Sequence, residues 1–310
     1  MVILKKTAIV TGGTNNHFPA MAVLAMNIAD KCPDVADELI IFHDGISEVE
    51  QKKVQQIFPT VFIKYESSFQ EIDNFSNEIK NYFSSFLFCK YELLKLLDIY
   101  ECVIWTDYDV LIKQDISELK IKRQYDCKFL PDNLLAKKFH KSFYWNEDCI
   151  KDLKTFNMFS EAICCGLFVL FDTLPNYHNL YEKCIQLTKK YSNSLYLPEE
   201  AVYSVVLQQE SILYDKLDFS IYAVKPEDDI KINNPVKIIH AVGQPKFWNG
   251  RENSEWNAYY ERWLKEFNGI PFENKKTKKK SFIKKFFKCI LPYGIVQVIV
   301  KIKKKTVKAK

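Results

Sequence analysis

Short apolar runs alternate with stretches of helical spacing along most of the chain, and that alternation narrows the fold more than any other feature. "TAIVT" (7–11) reads as a strand closed by a Gly-Gly turn, and "PAMAVLAMNIADKC" has helical spacing. "ELIIFHDG" is a second strand and turn. "SEVEQKKVQQIF" opens on Ser47 as an N-cap with Glu50 three residues on, which predicts a helix. "TVFIKYE" is a third strand, and "YELLKLLDIY" a predicted helix leading into a strand at 102–106. "ICCGLFVLF" (163–171) is another buried strand, "PEEAVYSVVLQQE" a helix with Pro198 near its start, and "VKIIHAVG" a late strand ending on His240. Strands that alternate with helices predict an α/β fold around a mostly parallel central sheet. One domain is expected over 1–272, with a different, Lys-rich segment over 273–310.

Charge sharpens that boundary. Of the 44 basic residues, 14 are lysines within 275–310, where no acid occurs; the rest of the chain has 30 basic against 39 acidic residues. An acidic body excludes nucleic acid as its partner, and a basic tail suits an anionic surface. The nine cysteines include no CxxC pair, and only Cys164-Cys165 are adjacent. With an N-terminus that reads as a first strand rather than a secretory leader, they are expected to be reduced thiols in the cytosol.

The stretch "VIWTDYDVLI" (103–112) interrupts an apolar run with Asp107 and Asp109. Carboxylates at i and i+2 of a strand lie on one face, and where the strand ends and turns both can reach one ion. Ligands gather at the carboxyl ends of strands in α/β sheets, and two carboxylates there suit a divalent cation with open positions for phosphate oxygens. A D-x-D alone is equally compatible with a solvated turn. A second feature adds weight: "IIHAVGQPKFW" places His240, Gly243, Lys246 and Trp248 just past another apolar strand. A lone strand-end histidine is more often structural. Here a glycine permits close backbone approach and a lysine lies within reach of a phosphate. Imidazole with two carboxylates favours Mn²⁺ over Mg²⁺.

Together these residues resemble the family 8 glycosyltransferases, relatives of glycogenin and of bacterial lipopolysaccharide galactosyl- and glucosyltransferases. The family's acid strand appears as "VIWTDYDVLIKQDISEL", and its late H-x-x-G-x-x-K-P-W motif as "HAVGQPKFW", with Phe247 in place of the proline. "IFHDGISEVEQKKV" and "KYELLKLLDIYECVIW" match further segments, so the resemblance spans roughly 7–265. It implies a single GT-A domain whose metal, Mn²⁺ or Mg²⁺, is held by Asp107, Asp109 and His240. A nucleotide-sugar donor would meet Thr11, Thr14, His17, Lys90, Asp107, Tyr108, Gly166, Gly243 and Lys246, and Glu199 and Glu200 would serve as catalytic residues. A hexose would pass, with retention, to a saccharide or glycolipid acceptor such as lipopolysaccharide or capsule. The chain departs from the family at three further places. The family's Asp-x-x-Tyr-x-x-Pro, whose Asp and Tyr hold the base, falls on Thr14, His17 and Ala20, with Pro19 one residue early. Its Asn-x-Gly is Cys164-Cys165-Gly166, and its Asp-Gln pair is Glu199-Glu200. For the last pair, the dipole preference for acids in a first helical turn is an equal alternative. Lys90 is equally a solvated helix start.

Two rival functions share these features. A haloacid-dehalogenase-type phosphatase also uses an apolar strand and D-x-D, with "PEDDI" (226–230) supplying late acids, but there the motif opens the domain. A non-catalytic membrane-surface adaptor would explain the missing base-binding carboxylate. In the tail, Phe282, Ile283, Phe286, Phe287 and Ile290 recur at helical spacing among lysines. The apolar run 289–300 falls short of the roughly 20 residues a spanning helix needs. The tail is therefore expected to lie in the interface of an anionic membrane, placing the protein peripherally on the cytoplasmic face of the inner membrane.

Overall fold

The computed structural model describes residues 6–67, 69, 85–134, 157, 160–192, 195, 198–229 and 235–273. The basic tail after 273 lies outside the described residues. Met1–Phe272 form one compact unit.

Nine strands are described: β1 (Lys6–Gly12), β2 (Glu38–His43), β3 (Thr60–Lys64), β4 (Tyr100–Thr106), β5 (Val110–Ile112), β6 (Cys127–Leu134), β7 (Glu161–Phe171), β8 (Asp215–Lys216) and β9 (Ile238–His240). The central sheet has seven, in the order β3-β2-β1-β4-β7-β6-β8. The β3-β2-β1-β4 half is parallel throughout, whereas β7 runs antiparallel to both β4 and β6. Strands covered on both faces need apolar residues at every position. Accordingly Cys102 and Ile104 of β4 enter one core cluster with α1 (Phe18–Lys31), while Val103 and Trp105 enter the other with α5 (Pro198–Gln209). Helix α7 (Ser254–Glu266) packs outside α1, so α1 is buried from Phe18 to Ile28.

The cap at Ser47 forms as its spacing predicts: its Oγ accepts from the Glu50 N–H at 3.4 Å, at the head of α2 (Glu48–Gln55). The helix expected over 91–100 is different. Residues Ser85–Glu92 are 3-10, only Leu93–Leu96 (α3) is α-helical, and β4 already begins at Tyr100. Lys90 thus stands on a tight turn buried under α5, not on a solvated helix. Helices α4 (Tyr177–Tyr191), α6 (Phe219–Tyr222) and α7 complete the set. Among the described residues no disulfide forms, and no helix is long and apolar enough to cross a membrane.

Two features fix the place where the acids emerge. β4 ends at Thr106 and the chain bends through 107–109 before β5 starts. β5 leaves the central sheet and pairs antiparallel with β9, with Val110 opposite His240. The side-chain amide of Asn27, buried on α1, bonds both the N–H and the C=O of Ile112 (2.5 and 2.9 Å), which ties β5 to that helix.

Candidate active site

The bend after β4 lets both acids face one point, and the β5–β9 ladder brings His240 to it. Asp107, Asp109 and His240 each offer a ligand atom within 4.8 Å of the others. His240 Nε2 lies 3.1 Å from Asp109 Oδ1 and 3.7 Å from Asp107 Oδ2. Gly166 makes room for them. A Cβ there would come within 2.7 Å of His240 Cε1 and 3.7 Å of Asp107 Oδ2, so a side chain at 166 would fill the cradle. Two carboxylates and an imidazole around a space that a methyl group would occupy fit a divalent ion with open coordination positions.

Lysines stand on both sides. Lys246 Nζ bonds Asp109 Oδ2 and also the Ala241 carbonyl, the latter at 2.9 Å. Its loop turns at Gly243 with φ of +75°, a conformation that glycine adopts without a Cβ penalty. Lys90 Nζ lies 3.0 Å from Glu199 Oε1 and 3.3 Å from Asp107 Oδ1. Burial works against the charge of Lys90, but Asp107 and Glu199 more than offset it and hold its pKa well above the usual lysine range. Burial likewise opposes ionisation of Asp109, yet His240 and Lys246 push its carboxyl well below the ordinary value. His240 loses by burial and gains more from Asp109, so its pKa is raised. Glu199 ends the other way: burial, with Glu200 adding to it, outweighs Lys90 and lifts it to about 6. Its Oε2 has no hydrogen-bond partner among the described residues. Glu200 Oε1 accepts from the Cys165 N–H at 3.2 Å, which joins the head of α5 to β7 beside Gly166.

The residues expected at the nucleotide gather at the carboxyl end of β1. Thr11 is fully buried and its Oγ1 is unpartnered among the described residues. Thr14 Oγ1 lies 3.1 Å from His17 Nδ1. The His17 ring stacks on Tyr108 at 5.3 Å, and both lie about 6.0 Å from the Trp248 ring. Trp248 also stacks on Phe272 at 5.1 Å. The acids of 226–230, Glu227, Asp228 and Asp229, do not belong to the cluster of Asp107, Asp109 and His240.

Three contributors escape a reading of motifs. Gly13 has no side chain where a Cβ would meet Tyr108 Cε1 at 2.8 Å. Tyr203 OH donates to the Lys90 carbonyl at 2.9 Å and fixes that turn. Trp105 Nε1 donates to Asp107 Oδ1 at 2.9 Å. The last had a signal, because residues two apart at a strand end share a face.

Glycosyl transferase family 8 is matched by its sequence profile over residues 8–252. The chain belongs to that family. It is a glycosyltransferase, and the phosphatase reading falls with that membership. No curated protein matches it in sequence. Among solved structures, the LgtC galactosyltransferase in complex with donor and acceptor sugar analogs superposes with a TM-score of 0.62 at 14% identity, covering 85% of this chain and 97% of that one. The apo WbbM bifunctional glycosyltransferase gives 0.63 at 13%, covering 86% of this chain. This chain spans only 52% of WbbM's length. GlyE of Streptococcus pneumoniae TIGR4 gives 0.56 at 12%, with 87% and 66% covered. At these identities the likeness is one of fold, the GT-A α/β arrangement.

Proposed function

We propose that this glycosyltransferase moves a hexose, with retention, from a UDP-sugar to a saccharide acceptor of the surface-glycan kind, lipopolysaccharide or capsule, and needs Mn²⁺ or Mg²⁺ to do so. The observation that carries the reading is the convergence of Asp107, Asp109 and His240 beside Gly166 at the carboxyl end of β4. Those three side chains would hold the ion, which when bound neutralises charge on the leaving diphosphate. Lys246 adds a second positive charge: it exchanges Asp109 for a phosphate oxygen when donor arrives. Thr11 Oγ1 and Glu199 Oε2, buried and without a hydrogen-bond partner among the described residues, accept or donate to donor hydroxyls and base atoms. The ring cluster of His17, Tyr108 and Trp248 supplies a surface for the base, in place of the carboxylate absent at Thr14.

A thermal-shift panel of UDP-, GDP-, CMP- and dTDP-sugars with Mn²⁺ tests this. UDP-sugars should raise the melting temperature of the parent and leave that of Asp109→Asn unchanged. If no nucleotide-sugar stabilises the parent, the non-catalytic adaptor reading replaces this one.

Location at the cytoplasmic face of an anionic membrane is part of the proposal, supported by the 14 lysines of 275–310. Removing residues 275–310 should abolish association with anionic vesicles while donor binding persists. Undiminished vesicle binding would move the anchor into the body.

A further inference from the structure

The two carboxylate oxygens of Asp107 meet different surroundings. Oδ1 turns away from His240; it accepts from Trp105 Nε1 at 2.9 Å and lies 3.3 Å from Lys90 Nζ. Oδ2 faces His240 Nε2 at 3.7 Å and borders the gap left by Gly166. The Asp107 backbone is pinned separately, its N–H donating to the Gly166 carbonyl at 3.0 Å. What decides which oxygen faces the ion space is therefore the side-chain torsion. The terminal torsion of aspartate is broad and roughly two-fold, so it sets no preference of its own.

Lys90 is a poor arbiter. Its ammonium rotates on a long stem and is shared with Glu199, which lies closer. The indole of Trp105 is different. It is 2% exposed, stacks on Phe168 with rings 20° from parallel, and carries one N–H in one direction.

We propose that Trp105 is a positioning residue: its indole N–H holds Asp107 Oδ1 and so presents Oδ2 to the divalent ion. The inference rests on the metal assignment above. Hydrogen bonds to ligand side chains commonly govern metal affinity by about 10–100-fold.

Trp105→Phe keeps a stacked ring and removes the N–H. The full chain is titrated with Mn²⁺ alone, free ion being read by electron paramagnetic resonance, with the melting temperature of the metal-free protein in parallel. The variant should bind Mn²⁺ about tenfold or more weakly. Its metal-free melting temperature should stay close to the parent's. In the transfer assay, the Mn²⁺ concentration for half-maximal rate should rise while the rate at saturating Mn²⁺ recovers. Benzothienylalanine at 105, a ring of the same outline with sulfur for the N–H, gives the same reading should phenylalanine fail to fold. Equal Mn²⁺ affinity in parent and variant overturns the positioning role and leaves the ion site standing. A parent that binds no Mn²⁺ overturns the site and the role with it.

Discussion

Asp109 and Glu199 are both buried carboxylates facing a lysine across the same site, and they are pushed in opposite directions. Asp109 is held well below the ordinary range, with burial opposed by His240 and Lys246. Glu199 is raised to about 6, with burial outweighing Lys90. A single lysine partner is not what separates them. Asp109 has both oxygens engaged, one by imidazole and one by ammonium. Glu199 has one oxygen engaged, by a lysine that also serves Asp107, has Glu200 beside it, and leaves Oε2 without a partner among the described residues. A buried charge needs its remaining lone pairs satisfied as well as a counter-ion. The comparison separates two settings: one carboxylate is kept charged, as the proposed cation site needs, and the other wants a hydrogen bond that a sugar hydroxyl would supply under the same proposal.

The sharpest way to break this contrast is to remove the lysine from the better-paired acid. Lys246→Ala leaves Asp109 buried with His240 alone, and the loss in the metal-free protein should be on the order of 3 kcal/mol. The deficit should shrink when Mn²⁺ is added, because an ion between the acids replaces the missing charge, while UDP affinity stays weakened. Chemical denaturation with and without Mn²⁺ checks this; a deficit that Mn²⁺ does not touch would separate Lys246 from the ion site.

A smaller effect sharpens the other half. Below pH 4.5, the ordinary glutamate value, Glu199 is neutral in both folded and unfolded chains and has no cost. Above about 6 the folded state must carry a charge that the unfolded chain carries more readily, so stability is lost as pH rises through that window. The loss amounts to about 2 kcal/mol. Glu199→Gln has no such term. Its melting temperature relative to the parent's should therefore climb between pH 4.5 and 7, and a flat difference would mean that Glu199 is not held up by burial. Asp109 works in the other sense, its contribution present above the ordinary aspartate range and lost on acidification.

How much of this was legible in sequence follows from how local each feature is. The D-x-D and the H-x-x-G-x-x-K stretch stand out because polar residues at the end of an apolar strand break a period that nothing else explains. The parallel half of the sheet was readable from strand–helix alternation, and the Ser47 cap from its spacing to Glu50. The short 3-10 turn around Lys90 was not, since "YELLKLL" has helical spacing and only the burial beneath α5 tightens it. Helix α4 went unread although Leu180, Cys184, Thr188 and Tyr191 mark its buried face. Strands β6 and β8, which pair parallel with each other, carry Lys128 and Asp215 within them, and such charges hide a strand from a hydrophobic pattern. The pairing of Lys90 with Glu199 and of Lys246 with Asp109 is tertiary, and no spacing encodes it.

The β5–β9 ladder has a consequence for the order in which this protein comes to life. Asp109 and His240 are 131 residues apart, and that short antiparallel pairing brings them together. A chain emerging from the ribosome displays both acids long before it possesses His240 or Lys246, and until then, of the two acids, Lys90 faces Asp107 alone. Until β9 is made and clips onto β5, the acids are two like charges on a loop with no partner in common. On the proposed metal assignment, competence to take up a cation is thus a late event of synthesis, and it certifies that the distant end of the domain has arrived.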